Sequence, residues 1–313
     1  MVQKILLILL LFICSGLITY YILYRKGKAK IYRRTFSEQV IFILVFGAFI
    51  IYSIGLVYPF IWAFISSLKT PAEYMMSPFD LPKKLLFSNY MKALEELKAN
   101  DVTYLEMMWN SCWFTFGGLF IGLFGLSTFS YAMAKYHFKL KGLMYTLNYI
   151  FMLLPSMGSL ASSYKLYNIY GITNSPLFLI TSIGGLGGGF LIMESFYKNL
   201  SWSYAEAAFI DGASDFTVFI KIMLPMSVAP LMVMCITSFI ARWNNYLTPL
   251  LFLDDMPTLA TGLFTYRSIS VDRHGTYPTF FAGTLMAMIP IFVIYTMFHN
   301  TLMDNMLGGG IKE

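Results

Sequence analysis

The sequence predicts an all-α fold, a polytopic transmembrane helical bundle, and three observations carry that prediction. Of 313 residues, 58% are apolar and only 12% are charged, whereas an ordinary soluble domain is about 25% charged. About seven apolar runs reach the roughly 20 residues that one helical crossing of a bilayer needs. The runs are also too long, and too uniformly apolar, for the alternating strands of about 10 residues that build a barrel. A helix of this length satisfies its own backbone polar groups in lipid.

In chain order, the first run covers residues 5–24. Lys4 precedes it, as in a signal peptide, but Tyr20, Tyr21 and basic residues stand where a small-residue cleavage site belongs, which favours a retained anchor. Arg25, Lys26, Lys28, Lys30, Arg33 and Arg34 follow, and such short basic segments stay in the cytoplasm. Residues 1–38 are thus expected to be an additional N-terminal helix with a basic linker, and residues 39–313 the main membrane domain.

The remaining runs lie near 39–67, 109–134, 142–163, 176–197, 226–252 and 279–303. Counting outward from the basic cluster puts 135–141, 198–225 and the C-terminal 304–313 inside, and 68–108, 164–175 and 253–278 outside. The outer segment 68–108 contains Lys69, Lys83, Lys84, Lys92 and Lys98, interleaved with Glu73, Asp80, Glu95, Glu96, Asp101 and Glu106, so its charge gives little orientation.

The net charge of +6 arises from basic residues that mostly flank apolar runs, not from a stripe, which argues against nucleic acid. Cys14, Cys112 and Cys235 all fall within runs and form no C-x-x-C pair, so neither a disulfide framework nor a zinc site is indicated. His137, His274 and His299 are isolated, no H-E-x-x-H or G-x-S-x-G occurs, and the run Gly184, Gly185, Gly187, Gly188, Gly189 lacks the Lys and Ser/Thr of a phosphate-binding loop. No catalytic group, metal or cofactor is therefore expected, and the glycines fit close packing or a kink. Glu194 and Lys198 have the spacing of an i, i+4 ion pair at the membrane edge.

The inner segment 198–225 is the most informative. Ser203 and Glu206 have capping-box spacing, which predicts a helix starting there. Gly212 can take the left-handed conformation that ends it, and Ser214 can cap a second helix. In that second helix Phe216, Phe219, Ile220 and Met223 recur with helical period, Asp215 and Lys221 lie off their face, and Pro225 marks the turn into the next span. Two short helices joined to a span could act as a lever for a soluble partner; they could equally lie on the membrane interface.

Glu206, Ala207 and Ala208, then Gly212, Ile222, Leu224 and Pro225, fit the EAA-x3-G-x9-I-x-L-P signature, with Asp211 and Ala213 completing a D-G-A core. In these residues the chain resembles the membrane subunits of binding-protein-dependent ABC importers. S-L-K-T at Ser67 to Thr70, W-N-x-x-L-x-P-L at Trp243 to Leu250 and the Gly-rich tail Gly308 to Lys312 make it similar to the MalG-like permeases of maltose-type carbohydrate importers. The resemblance implies the type I ABC importer permease fold, with about six core helices, so that the run at 5–24 is an addition to the pattern. It implies a prokaryotic cell-membrane location, a second homologous permease, two ATP-binding cassette ATPase subunits docked on Glu206, Ala207, Ala208, Asp211, Gly212 and Ala213, and an extracellular sugar-binding protein. ATP hydrolysis then belongs to the partners.

Trp243, Asn244 and Asn245 follow Arg242 in the outward half of their span. They suit either contact with sugar or structural roles between helices and at the membrane interface, with Arg242 reaching outward. Asp254, Asp255, Arg267, Asp272 and Arg273 mark the outer segment 253–278, which is long enough to meet a docked binding protein or to be simply solvated. Two rival functions remain: the same architecture serving a non-sugar solute, and a secondary carrier acting without an ATPase. The second should show inverted repeats and mid-membrane charges, of which the sequence has no clear sign.

Overall fold

A computed structural model describes residues 36–154, 158–271 and 275–308. The run at 5–24, the cluster Arg25 to Arg34, residues Asp272, Arg273 and His274, and the tail beyond Gly308 lie outside the described residues. The chain divides into two compact units, Met1–Ser66 and Ser67–Glu313. The first contributes helix α1, Phe36–Ser67. Its stretch Leu44–Ser67 has a mean hydropathy of 2.1, and side chains along it such as Leu44, Phe49 and Tyr52 are exposed, as suits a helix meant for lipid.

The second unit opens with two short helices, α2 (Pro71–Met76) and α3 (Ser88–Glu96). Thr70 caps α2 by accepting the Glu73 N–H at 3.1 Å, and Pro71 occupies the first turn, where its missing N–H costs nothing. The S-L-K-T segment ties this region together. Lys69 is fully buried, with Nζ donating to the carbonyls of Ser77 and Pro78, both at 3.0 Å, while Asn89 Nδ2 donates to Ser67 O at 2.7 Å and Lys69 O at 2.8 Å.

Helix α4, Tyr104–Lys135, starts five residues before the expected apolar run. The cause is a capping box: Thr103 Oγ1 accepts the Glu106 N–H at 3.4 Å, and Glu106 Oε2 accepts the Thr103 N–H at 2.8 Å. Within α4, Trp113–Gly117 forms a π-helical turn. There follow α5 (Lys141–Leu153), α6 (Ser159–Ile169), a 3-10 segment (Pro176–Ser182), α7 (Gly188–Asn199), α8 (Ser203–Ile210), α9 (Asp215–Met226), α10 (Val228–Trp243), α11 (Leu247–Phe252), α12 (Leu259–Tyr266) and α13 (Tyr277–Gly308).

The fold is all-helical, as expected, but several runs expected to be continuous are broken. Among the described residues three helices are long and apolar enough to cross a membrane: Leu44–Ser67, Tyr104–Lys135 and Tyr277–Phe298. Helices α9 and α10 reach that length and hydropathy only when taken together, and they bend by 74° at their junction. The run at 142–163 splits because Leu154, before Pro155, takes an extended conformation with ψ 126, as a residue preceding proline is steered to do. The run at 176–197 splits at its glycines, where the fully buried Asn148 accepts the Gly187 N–H on Oδ1 at 2.6 Å. The run at 226–252 splits after Trp243, where Asn245 Oδ1 accepts the Thr248 N–H at 3.0 Å and competes with helical pairing.

At the middle of the unit α4 meets the chain leading into α7 backbone to backbone. A Cβ on Gly125 would lie 2.9 Å from Gly184 O, and one on Gly184 would lie 2.6 Å from Gly122 O. Small residues permit this approach, which supplies dispersion contact where lipid offers no hydrophobic driving force. Gly125→Val must push the two segments apart, and overpacking of this kind costs about 1–3 kcal/mol. The expected outcome is a lower thermal midpoint in detergent-solubilised protein, followed by fluorescence-detected size exclusion; an unchanged midpoint would contradict the tight packing.

Candidate functional site

The segment 198–225 forms two short helices meeting at a glycine. Helix α8 begins at Ser203, but the expected capping box is not made there. Trp202 precedes the helix in a helical conformation without a side-chain cap, and Ser203 Oγ is engaged instead with Ser201 Oγ at 2.7 Å. Trp202 O accepts from the N–H groups of Ala205 and Glu206, which sets the first turn. At the other end the Gly212 N–H donates to Phe209 O at 3.0 Å and the Ala213 N–H to Ala208 O at 2.9 Å, the paired bonds of a Schellman stop. Gly212 has φ +82, and a Cβ placed there would meet open space. The demand for glycine is thus purely conformational.

Ser214 then caps α9 by accepting the Thr217 N–H at 3.4 Å, as expected. The expected apolar face is only partly realised. Phe219 and Met223 are buried and Val218 joins them, but Phe216 is 69% exposed. A π-helical turn at Phe219–Met223 rotates the helix, so the simple 3.6-residue pattern fails across it. Lys221 and Asp215 are exposed, as the sequence suggested.

The outer surface of this hairpin presents the signature residues. Glu206, Ala207, Asp211 and Gly212 are exposed, Ala208 and Ala213 half-buried, and Ile210 projects with 86% of its surface free. The opposite side is locked to the bundle. Ala205, Val218, Phe219 and Met223 pack with Tyr131 of α4 and with Met193 and Tyr197 of α7. Tyr131 stacks on Phe219 at 5.0 Å between ring centroids. Tyr197 Oη shares hydrogen bonds with Ser127 Oγ at 2.5 Å and Ser227 Oγ at 2.8 Å, bridging α4, α7 and the junction of α9 and α10.

Two polar links complete the joint. Tyr136 Oη donates to Asp215 Oδ1 at 2.6 Å, and Lys135 Nζ donates to Leu200 O at 2.6 Å while lying 5.8 Å from the centre of the Trp202 ring. Burial, and then the Asp215 carboxylate, push the Tyr136 phenol above its usual range, so it stays a protonated donor. Glu194 and Lys198 form the expected ion pair at 2.6 Å, and Tyr145 Oη also donates to Glu194 Oε1. The tyrosines and serines of this joint carried no signal in the sequence, because they come from separate elements with no shared spacing.

A second feature is a cavity of about 440 Å³ in the same unit. Rings of Phe114, Tyr167, Phe178 and Phe252 form part of its wall; Ser182, Arg242 and Asn245 supply polar groups. Of the three candidate substrate-path residues only Asn245 lines it. Trp243 is buried in the core, stacked on Phe239, with Nε1 donating to Ala287 O at 3.0 Å. Asn244 is exposed, with Nδ2 donating to Ile240 O at 2.9 Å. Arg242 does not reach for solvent; Nη1 donates to Ser182 Oγ at 3.1 Å. After α11 Asp254 and Asp255 are exposed, and each is tied to a neighbouring loop: Asn100 Nδ2 donates to Asp254 Oδ1 at 2.9 Å, and the Asp255 N–H to Asn174 Oδ1 at 3.1 Å.

Comparison with known proteins agrees with this architecture. The chain is 25% identical over 267 residues to the diacetylchitobiose uptake system permease protein NgcG of Streptomyces coelicolor, covering 84% of this chain and 86% of that one. It is 28% identical to the galactooligosaccharides transport system permease protein GanQ of Bacillus subtilis, covering 82% and 90% respectively. In fold it matches a chain of a bacterial ABC transporter involved in import of the acidic polysaccharide alginate, with a TM-score of 0.74 at 19% identity, over 85% of this chain and 98% of that one. The family model for the inner membrane component of binding-protein-dependent transport systems matches residues 124–302, more than half of the sequence, and includes the whole two-helix loop. With that match the chain belongs to the binding-protein-dependent transport system inner membrane component family, as a multi-pass membrane permease subunit of an ABC importer.

Proposed function

We propose that this permease carries oligosaccharides or other carbohydrates by alternating access, driven by ATPase subunits that grip the loop from Glu206 to Ala213. Relatives described as permeases for diacetylchitobiose, galactooligosaccharides and arabinooligosaccharides support the substrate class. The family works with ATPase and binding-protein partners and its membrane subunits have no catalytic activity of their own. In this reading the partners are a second homologous permease, two ATPases and an external sugar-binding protein, and the C-terminus is cytoplasmic.

The observation that carries the coupling role is the two-sided construction of the loop. One side is open, with Glu206, Ala207, Asp211 and Gly212 exposed and Ile210 projecting. The other is fixed to α4 and α7 through Tyr131, Tyr136 and Tyr197. A partner that contacts the open side with different free energy in its ATP-bound and ATP-free states shifts the bundle between its own states, and equal contact would shift nothing.

The test is uptake per ATP hydrolysed by the complete importer in proteoliposomes, with neutral oligosaccharides as solutes. Gly212→Pro locks φ near −65° where +82 is required, and is expected to abolish coupled uptake while the chain remains in the membrane. Gly212→Ala costs about 1–2 kcal/mol in the same left-handed conformation and is expected to give an intermediate loss. Normal uptake by the proline variant would overturn the lever. Tyr136→Phe removes the bond to Asp215, worth about 1 kcal/mol at this partly exposed site, and should lower the uptake per ATP without preventing assembly. An unchanged ratio would remove Tyr136 from the transmission. Uptake that persists in the absence of any ATPase would support a secondary carrier instead.

A further inference from the structure

Arg242 stands near the end of α10 in an apolar run, where a guanidinium is expensive unless it is paired or faces a polar cavity. It is half-buried, and the bond from Nη1 to Ser182 Oγ at 3.1 Å uses one of the five N–H donors of the group. Among the described residues the one salt bridge is that between Lys198 and Glu194, so no carboxylate there neutralises Arg242. The position is built to take the guanidinium: a Cβ on Gly118 would overlap Nη1, and one on Gly122 would stand 3.7 Å from Nη2. The glycines of α4 thus leave a slot that the guanidinium fills.

This cation forms part of the wall of the 440 Å³ cavity, together with the Tyr167 and Phe252 rings and the Ser182 and Asn245 side chains. The volume lies in the range of small-molecule sites, and the mixture of ring faces with a few directional polar groups suits a ligand that is apolar on one face and hydroxylated around its edge. Irregular backbone also borders the region. The 3-10 segment ends at Ser182 and α7 does not begin until Gly188, and non-helical chain at membrane depth is tolerated where it lines a cavity or is buried in protein.

Resting on the carbohydrate reading above, we propose that this cavity is a subsite for an acidic saccharide, in which Arg242 pairs with the carboxylate of a uronic acid residue and the aromatic rings pack against the sugar face. A planar carboxylate matches the fork of a guanidinium in two parallel hydrogen bonds. A carboxylate side chain from the second permease could supply the same charge, but would leave most of the ring-lined volume empty. The saccharide uses both the charge and the space.

The test uses the assembled importer, without its external binding protein, in phosphatidylcholine nanodiscs, a lipid with no net charge. Equilibrium binding is measured for digalacturonate and for galactobiose, its uncharged counterpart. The wild type is expected to prefer digalacturonate, and Arg242→Gln to reduce that preference roughly 10- to 100-fold, the usual worth of a charge-assisted hydrogen bond. Arg242→Lys keeps the charge without the fork and should fall between. Lys165→Gln, an exposed cation outside the cavity lining, should leave the preference unchanged, which separates pairing at Arg242 from general attraction. A wild type that binds no digalacturonate, or a preference indifferent to Arg242→Gln, overturns the subsite; uptake of neutral oligosaccharides by the complete importer would then leave the carbohydrate reading standing. Release of the second permease from the Arg242→Gln complex on size exclusion assigns the guanidinium to a subunit contact and also overturns the subsite. Failure of the complete importer to transport any saccharide overturns both.

Discussion

The joint around Tyr131 and Tyr197 is the constraint on which the rest of the molecule depends. A loop can transmit displacement only if it is stiffer toward the bundle than toward solvent. Here α8 and α9 have little intrinsic stability: α8 has eight residues, well below the length at which an isolated helix holds in water. Their rigidity comes from burying Ala205, Val218, Phe219 and Met223 against Tyr131, Met193 and Tyr197. The hydroxyls of Ser127, Tyr197 and Ser227 add direction to that packing, because hydrogen bonds fix orientation where apolar contact alone would allow sliding.

The broken spans follow from the same economy. A continuous helix satisfies its backbone in lipid without help, so each break needs a local substitute for the lost pairing. Asn148 provides one at Gly187, and Asn245 another at Thr248. Both asparagines are tied to backbone N–H groups, which accounts for amides in such apolar surroundings without requiring a ligand. Asn245 is nevertheless on the cavity wall, where its structural bonds to Thr248 hold it in place.

Much of this was legible in the sequence wherever one residue type has one dominant physical use. Gly212 could be read because a left-handed stop favours glycine, Ser214 because a hydroxyl caps a helix, and Glu194 with Lys198 because their spacing places them on one face. Ser203 misled because Ser201, two residues earlier, competes for the same hydroxyl, a choice that spacing does not encode. Phe216 misled because the π-helical turn just beyond it shifts the register of everything that follows. The cavity was illegible for a different reason: Phe114, Tyr167, Ser182 and Arg242 are distant in sequence and converge only once α4, α6 and α10 are packed. Trp243, which looked suited to a sugar face, is held instead by its indole N–H on Ala287 O.

Helix α4 connects the two regions. Tyr131 and Tyr136 engage the loop at the helix's C-terminal end, and Gly118 and Gly122 bear against the Arg242 guanidinium farther along. From Gly118 to Tyr131 is about 20 Å at 1.5 Å per residue, uninterrupted α-helix throughout. The π-helical turn at Trp113–Gly117 comes immediately beyond Gly118, on the side away from the loop. The stiff part of α4 therefore spans from the joint to the glycine slot, and the π-helical turn beyond it carries Phe114 on the cavity wall. In the proposed coupling a rotation applied at Tyr131 would be carried to the glycine slot before any turn of α4 could absorb it, so the loop and the Arg242 side of the cavity would move as parts of one body.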